Sequence, residues 1–220
     1  MEGVDLELRR RLTKVSKRLS DEGLAPGTSG NVSARIPETG TCLIKPSGVS
    51  LGAMKPEEFV VVDIETRELL RGEVKPSIET PFHTTLYRLR PEVGSVVHVH
   101  PPCAITLSLI GEEIKPMTME VFDAPGLASG ITTSRYALPG SEELAENLGE
   151  ALRLCVAALM PHHGVTALGR TPEEAATNAI VVERMASIQH KAMQVGTPEP
   201  LPDSTLKALV ELAKERGLLC

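Results

Sequence analysis

The chain is arranged around residues 75–102, which read KPSIETPFHTTLYRLRPEVGSVVHVHPP. The stretch ends in His98-Val99-His100 within an apolar run, and alternation with a period of two predicts a β-strand. Side chains at positions i and i+2 of a strand point to the same side, with Cα atoms roughly 7 Å apart. Two imidazoles at this spacing can converge on one metal ion, although such a pair also occurs without a metal.

A short helix is predicted before this strand, over residues 80–89, with Ser77 as its cap. Glu79 then falls in the first turn of the helix, where it has two interpretations. As the carboxylate nearest in sequence to the histidine strand, it is a candidate general base. A glutamate in a first turn is also favoured by the helix dipole alone, and the sequence leaves both interpretations open.

A third histidine is available in residues 161–164, which read PHHG and follow a predicted buried strand. We expect one of His162 and His163 to complete a three-histidine site and the other to hydrogen-bond backbone in the turn. Three protein ligands with an open position are typical of a catalytic zinc site. His83 and His190 are interpreted as surface or packing residues.

Composition and charge narrow the class of protein. The 220-residue chain fits one domain, or at most two small ones. Its net charge of −6 does not indicate the basic surface that nucleic-acid binding requires. No apolar run approaches the ~20 residues of a membrane span, and the charged N-terminus does not resemble a signal peptide. The scattered cysteines argue against a disulfide framework and a zinc finger, so we expect a reducing, cytoplasmic setting; they are Cys42, Cys103, Cys155 and Cys220.

Many short strands and several helices predict an α/β domain. We expect hairpins within residues 31–44 and 59–70, a strand over 114–122 that Pro116 interrupts, helices beginning at Ser141 and Thr171, and a terminal helix over 204–216. Several connections are too short for βαβ crossovers, so the sheet is expected to be largely antiparallel or mixed.

Three turns rich in glycine and hydroxyl groups suggest a phosphate site. They lie at residues 28–31, 47–48 and 76–77, and each can offer N–H and hydroxyl donors to a phosphate. Any one of them has ordinary turn composition, but together with a metal they indicate a small phosphorylated substrate. The chain has no P-loop and no GxGxxG, so nucleotide binding is not supported.

The segments TSGNVSAR, KPSGVS, PSIETPFHTTLY, VVHVHPP and PHHGVTALG occur in an order and spacing that resemble the class II aldolase and adducin-head family. The resemblance spans roughly residues 6–193. It implies a single-domain three-layer α/β sandwich, with a central, mostly antiparallel sheet flanked by helices. Residues 1–195 would form the catalytic domain, and residues 196–220 its connector and last helix. It also implies a homotetramer with active sites between subunits.

The resemblance further implies roles for particular residues. Zinc, or another divalent ion such as Mn²⁺ or Co²⁺, would be held by His98, His100 and His163. Glu79 would be the acid/base carboxylate, and Tyr136 of a neighbouring subunit would help to protonate or orient the aldehyde. The implied phosphate pocket comprises Thr28, Gly30, Asn31, Ser47, Gly48 and Ser77.

The implied reaction is the reversible cleavage of a ketose 1-phosphate, similar to L-fuculose 1-phosphate, to dihydroxyacetone phosphate and a small aldehyde such as lactaldehyde. Ile78 stands where a second pocket serine is expected, and no tyrosine follows Val195, so the aldehyde partner is open. The alternatives are 4-epimerisation of a pentulose phosphate, dehydration of methylthioribulose 1-phosphate, a non-catalytic adducin-like interaction module, and an unrelated protein with a structural metal.

Overall fold

Strand β5 (Ser95–Val99) lies in the interior of the sheet, and every one of its residues is buried. It pairs antiparallel with β1 (Asn31–Ile36) on one side and with β8 (Gly164–Gly169) on the other. The registers place Asn31 and Thr166 on either side of His98. The computed structural model describes residues 2–218, so Met1, Leu219 and Cys220 lie outside the described residues.

Over these described residues, six α-helices and eight strands are arranged around one sheet. The helices are α1 (Glu2–Asp21), α2 (Thr80–Leu89), α3 (Pro102–Leu109), α4 (Glu142–Ala151), α5 (Pro172–Met193) and α6 (Asp203–Glu215). The remaining strands are β2 (Thr41–Ile44), β3 (Val60–Asp63), β4 (Leu69–Arg71), β6 (Thr132–Thr133) and β7 (Ala157–Met160). Short 3₁₀ helices span Leu51–Ala53, Pro56–Glu58, Met119–Asp123 and Pro125–Ser129.

The sheet has the strand order β4-β3-β2-β1-β5-β8-β7-β6. All neighbouring strands are antiparallel except β6 and β7, which run parallel. Helices α1 and α5 pack against the central strands, while α2 packs against α4 and reaches β1 through polar side chains. The predicted sandwich with a mostly antiparallel central sheet between helices is confirmed.

The strongest predicted helix starts are also confirmed. The Thr171 hydroxyl accepts a hydrogen bond from the Glu174 amide at 3.2 Å, and α5 begins at the next residue, Pro172. The Ser141 hydroxyl accepts from the Leu144 amide at 3.1 Å at the start of α4. Such caps satisfy amides that lack an intrahelical partner, and each typically stabilises a protein by about 0.5–2 kcal/mol.

The predicted strand over residues 114–122 is wrong. Residues 115–118 form no regular element, and a 3₁₀ helix follows at Met119–Asp123. The Lys115 amide donates to the Gln189 side chain at 3.0 Å, and the Pro116 carbonyl accepts from the Leu201 amide at 2.9 Å. Because Pro116 has no N–H to donate to a strand ladder, these backbone groups bond to α5 and to the segment before α6 instead.

Apolar side chains form one continuous core. Its largest fully buried members include Tyr87, Phe59 and Phe82. Removing such side chains from water is the dominant favourable term in folding. Within residues 2–218, no helix combines the length and the apolar character that crossing a membrane requires.

Candidate active site

Strand β5 and the residue after it position the first two histidines. His98 is fully buried, and its ring Nδ1 lies 3.1 Å from the Val165 carbonyl oxygen of β8. This contact requires the proton on Nδ1, which leaves the Nε2 lone pair directed away from the strand. His100 follows the end of β5, and its amide donates to the Leu24 carbonyl at 2.8 Å.

The turn between β7 and β8 supplies the third histidine. His162 adopts a left-handed backbone (φ 61°), which turns the chain so that the His163 amide bonds the Met160 carbonyl at 3.0 Å. Gly164 then passes so close to β5 that a β-carbon there would overlap the Val99 carbonyl oxygen. A glycine is therefore required for His163 to approach the other two rings.

The rings of His98, His100 and His163 converge. Their centroids are 4.7–5.1 Å apart, and their candidate ligand atoms all lie within 4.8 Å of one another. The Nε2 atoms of His98 and His100 are only 3.0 Å apart. Two nitrogen lone pairs at this distance repel each other unless a proton or a cation lies between them. The donor set therefore fits a divalent metal ion held by imidazole nitrogens.

The surroundings keep these imidazoles neutral. Burial lowers the pKa of His98 well below its usual range, and the neighbouring rings of His163 and His100 lower it further. Burial also lowers the pKa of His100 and of His163, although the negative charge of Glu79 opposes this in both. Neutral imidazole is the form that binds a metal ion, so these three residues can bind one without first releasing protons.

Glu79 lies beside the three rings, but not in the helical position that the sequence suggested. It is the N-cap residue of α2 rather than a first-turn residue, and its carboxylate makes no capping hydrogen bond. The Ser77 hydroxyl instead accepts the Glu79 amide at 3.2 Å. The carboxylate is thereby free to turn toward the site, with Oε2 3.4 Å from His98 Nε2 and Oε1 3.3 Å from His163 Nε2.

The two oxygens of this carboxylate are not equivalent. Oε2 accepts a hydrogen bond from the Asn31 amide nitrogen at 2.8 Å. Oε1 is buried, and it accepts no hydrogen bond within the described part of the chain. A buried carboxylate oxygen without a donor is costly, and it marks the side on which a ligand or a proton is expected.

The predicted phosphate residues line the same cavity as Glu79. The cavity has a volume of about 470 Å³. Its lining comprises Thr28, Ser29, Gly30, Asn31, Lys45, Ser47, Gly48, Ser77, Ile78, Glu79, His100, Pro139 and His163. The amides of Ser47 and Ser77 are already bonded to the Lys75 and Lys45 carbonyls, so their hydroxyl groups are the donors these residues offer to a ligand.

Lys45 is a cavity residue that the sequence analysis missed. It is almost completely buried, and its ammonium group donates to the Thr28 carbonyl at 3.0 Å. Burial lowers the pKa of this ammonium group, while the charge of Glu79 raises it. The available signal was the position of the lysine, at the junction between the second strand of the hairpin and a hydroxyl-bearing turn.

His83 is fully buried, which agrees with the packing role that was one of its two predicted alternatives. Its connection to the site was not predicted. Its Nε2 contacts the Asn31 side-chain oxygen, and its Nδ1 lies 2.7 Å from the Ser33 hydroxyl. The signal was its spacing of four residues from Glu79, which places both residues on one side of a helix start.

Tyr136 is not brought to Glu79 within one chain. Its side chain is 56% exposed, and its ring faces His162, with 6.0 Å between the ring centroids. Tyr136 is also absent from the residues that line the cavity. Ile78 is 66% exposed at the mouth of the cavity, where it presents an apolar group instead of a hydroxyl.

The fold and the site define a class of protein: an α/β sandwich whose sheet carries a three-histidine centre beside a buried carboxylate and a polar cavity. Residues 10–190 match the family described as the class II aldolase and adducin N-terminal domain. The chain belongs to this family. Within it, the chain is an enzyme of the aldolase (lyase) type, whose members depend on a divalent metal ion.

Individual relatives cover nearly the whole chain. The 5-methylthioribulose-1-phosphate/5-deoxyribulose-1-phosphate aldolase of Rhodospirillum rubrum is 34% identical over 217 residues, which is 99% of this chain and 96% of the relative. The 5-deoxy-D-ribulose 1-phosphate aldolase of Bacillus thuringiensis serovar kurstaki is 30% identical over 204 residues, covering 92% and 93%. Among solved structures, an L-fuculose 1-phosphate aldolase superimposes with a TM-score of 0.86 at 29% identity, covering 94% and 96%.

The neighbouring histidines 162 and 163 provide a matched test of the metal centre. We expect His163→Ala to lose its bound divalent metal, with an affinity loss larger than the roughly 10–100-fold typical of removing an outer-shell partner. His162→Asn should keep full metal content, because His162 is exposed and asparagine tolerates its left-handed backbone. The measurement is metal content by atomic emission after dialysis, followed by chelator competition. Equal metal retention in the two variants would contradict the assignment.

Proposed function

We propose that this chain reversibly cleaves a ketose 1-phosphate to dihydroxyacetone phosphate and a small aldehyde. The observation that carries the proposal is the free carboxylate oxygen of Glu79, which faces His163 Nε2 at 3.3 Å in the wall of a polar cavity. A carboxylate in this position can exchange a proton with a carbon next to a carbonyl group. Family membership supports the same chemistry.

The relatives favour a 5-deoxypentulose 1-phosphate, with or without a methylthio group, as the substrate. Both curated relatives carry 5-deoxyribulose 1-phosphate in their names, and one also carries 5-methylthioribulose 1-phosphate. We therefore propose these compounds as substrates in preference to L-fuculose 1-phosphate, the compound in the name of the structural neighbour. Cleavage between C3 and C4 would give dihydroxyacetone phosphate together with acetaldehyde or methylthioacetaldehyde.

His98, His100 and His163 are the residues that would hold the metal ion. We propose Zn²⁺, because three imidazole ligands and an open position suit it, with Mn²⁺ or Co²⁺ as alternatives. When bound, the ion would supply Lewis-acid polarisation of the substrate carbonyl group.

The protein side chains handle the protons of the reaction. Breaking the C3–C4 bond leaves its electron pair on C3, where the adjacent carbonyl delocalises it, while the C4 hydroxyl loses its proton and becomes the aldehyde. The net transfer is one proton from the C4 hydroxyl to C3. We assign the protonation of C3 to Oε1 of Glu79. We assign the proton transfer at the C4 oxygen to Tyr136 of a neighbouring copy.

We also propose the homotetramer with active sites between subunits that the family resemblance implies, and the assignment of Tyr136 rests on it. Its ring is largely exposed, so in one chain it is available to a neighbouring copy. A cytoplasmic location stays a prediction from the cysteine usage.

We propose that the cavity lined in part by Glu79 also binds the phosphate group. Lys45 supplies a cation, Ser47 and Ser77 supply hydroxyl groups, and Gly48 has the positive φ that exposes backbone in a tight turn. Buried cations and hydroxyl donors bind phosphate more strongly than they bind a neutral group. Thr28 and Gly30 complete this part of the wall. Holding the phosphate at a distance from the breaking bond orients C3 toward Glu79.

Release of dihydroxyacetone phosphate from a panel of ketose 1-phosphates tests the function. With metal-loaded wild-type protein we expect release from 5-deoxyribulose and 5-methylthioribulose 1-phosphates at higher kcat/KM than from L-fuculose 1-phosphate. Glu79→Gln should lower kcat by about 10²–10⁴-fold, because it removes a general acid/base while keeping the shape of the side chain. Its metal content should equal that of the wild type.

Three outcomes would contradict this assignment. Full activity in Glu79→Gln would remove the residue from the reaction. Consumption of 5-methylthioribulose 1-phosphate without release of dihydroxyacetone phosphate would identify a dehydratase instead, and interconversion of pentulose phosphates would identify an epimerase.

A second experiment tests the phosphate site. Lys45→Met keeps the length of the side chain but removes its charge, so we expect KM for the ketose phosphate to rise roughly 10- to 100-fold. Lys75→Met is the matched control, because Lys75 lies in the adjoining loop and is exposed, and it should leave KM within about twofold. Steady-state kinetics and titration with inorganic phosphate provide the measurement. An unchanged phosphate affinity in Lys45→Met would contradict the assignment.

A further inference from the structure

A chain of buried polar groups runs from the interior of the protein to Glu79. The Tyr87 hydroxyl lies 2.7 Å from the Ser33 hydroxyl, which lies 2.7 Å from His83 Nδ1. His83 Nε2 contacts the Asn31 oxygen, and the Asn31 amide nitrogen donates to Glu79 Oε2 at 2.8 Å. All five residues are buried.

The Glu79 carboxylate, at one end of this series of hydrogen bonds, determines which group donates in each of them. The Glu79 carboxylate accepts, so Asn31 must present its NH₂ group to Glu79 and its oxygen to His83. His83 must then donate from Nε2 and accept at Nδ1, and Ser33 is the donor to Nδ1. Burial lowers the pKa of His83 well below its usual range, so the ring is neutral and this single tautomer suffices.

This series of hydrogen bonds controls which way the Glu79 carboxylate faces. Within residues 2–218, the only hydrogen bond to either carboxylate oxygen comes from Asn31, because Oε1 has none and the side chain does not cap α2. Strand β1 and helix α2 thus hold Asn31 and His83 in place, and these two side chains in turn hold Oε2. Oε1 is consequently directed toward the ring nitrogen of His163, 3.3 Å away.

We infer that Asn31 and His83 are positioning residues for the acid/base carboxylate, an inference that rests on the proposed aldolase function. His83 fixes the rotamer and amide orientation of Asn31, and Asn31 fixes Oε2 of Glu79 so that Oε1 faces C3 of the substrate. This is a different role from the phosphate contact expected for Asn31, since its side-chain oxygen and one amide hydrogen are already engaged inside the protein.

Kinetics of His83 variants test this inference. His83→Leu removes both hydrogen bonds of the ring, and we expect kcat to fall about 10–100-fold, the range typical of losing an outer-shell partner at a metal site. His83→Gln can still offer an amide N–H to Asn31, so it should recover kcat to within about fivefold of wild type. Thr84→Val is the matched control: Thr84 is the next residue of α2, it is equally buried, and within residues 2–218 its hydroxyl bonds the Thr80 and Pro81 carbonyls alone.

The split between kcat and KM separates positioning from other roles. Asn31→Ala should lower kcat like His83→Leu, while KM for the ketose phosphate and affinity for inorganic phosphate stay within about threefold. Metal content should be unchanged in every variant. A rise in KM with unchanged kcat would assign Asn31 to phosphate binding and overturn the inference, as would equal kcat losses in His83→Leu and Thr84→Val.

A measurement that needs no turnover keeps the inference testable if a variant folds poorly or if the proposed reaction is wrong. In protein labelled with ¹⁵N-histidine, Glu79→Gln should shift the ring nitrogen signals of His83. The same substitution in an Asn31→Ala background should leave them in place, because the connecting side chain is gone. No shift in either background would overturn the inference. If the shift is present but no ketose phosphate is cleaved, the proposed function fails while the positioning network stands.

Discussion

Hydrogen bonding of β5 to β1 on one side and to β8 on the other brings distant parts of the chain to one place. The pairing sets His98 beside Asn31 on one neighbouring strand, and the turn that enters β8 delivers His163. A slip of one residue in either register would turn His98 to the opposite face of the sheet, because side chains alternate along a strand. The site therefore depends on backbone pairing first and on side-chain chemistry second.

The site buries several groups that water would otherwise stabilise. Glu79, Lys45 and His98 are each at most 5% exposed. Burying unpaired charges costs several kcal/mol, whereas buried groups with partners cost much less. Asn31 provides the partner for one oxygen of Glu79, and the Thr28 carbonyl accepts from Lys45. Oε1 of Glu79 receives no hydrogen bond from any described residue, and this is the atom to which we assign the proton transfer.

Much of this arrangement could be predicted from the sequence, because it is encoded locally. The spacing of His98 and His100 follows from the period of a strand, and the caps of α4 and α5 follow from hydroxyl residues that precede helical patterns. The remainder depends on tertiary contacts. In the sequence, His83 is one polar residue of an amphipathic helix, and its contacts with Asn31 and Ser33 depend on the packing of α2 against β1. Lys45 is one lysine beside a loop, and its contact with the Thr28 carbonyl depends on the tertiary fold. The strand predicted over residues 114–122 does not form, because Pro116 cannot donate to a ladder and the backbone around it bonds to Gln189 and Leu201 instead.

The proposed mechanism requires Oε1 of Glu79 to move a proton at the carbon next to the carbonyl group. Exchange at the hydroxymethyl carbon of dihydroxyacetone phosphate, followed by ¹H NMR in D₂O with metal-loaded protein, tests it without any aldehyde partner. We expect the wild type to exchange one of the two hydrogens stereospecifically, and Glu79→Gln to exchange it at least ~100-fold more slowly with unchanged metal content. Exchange at the wild-type rate in Glu79→Gln would show that this carboxylate does not move the proton.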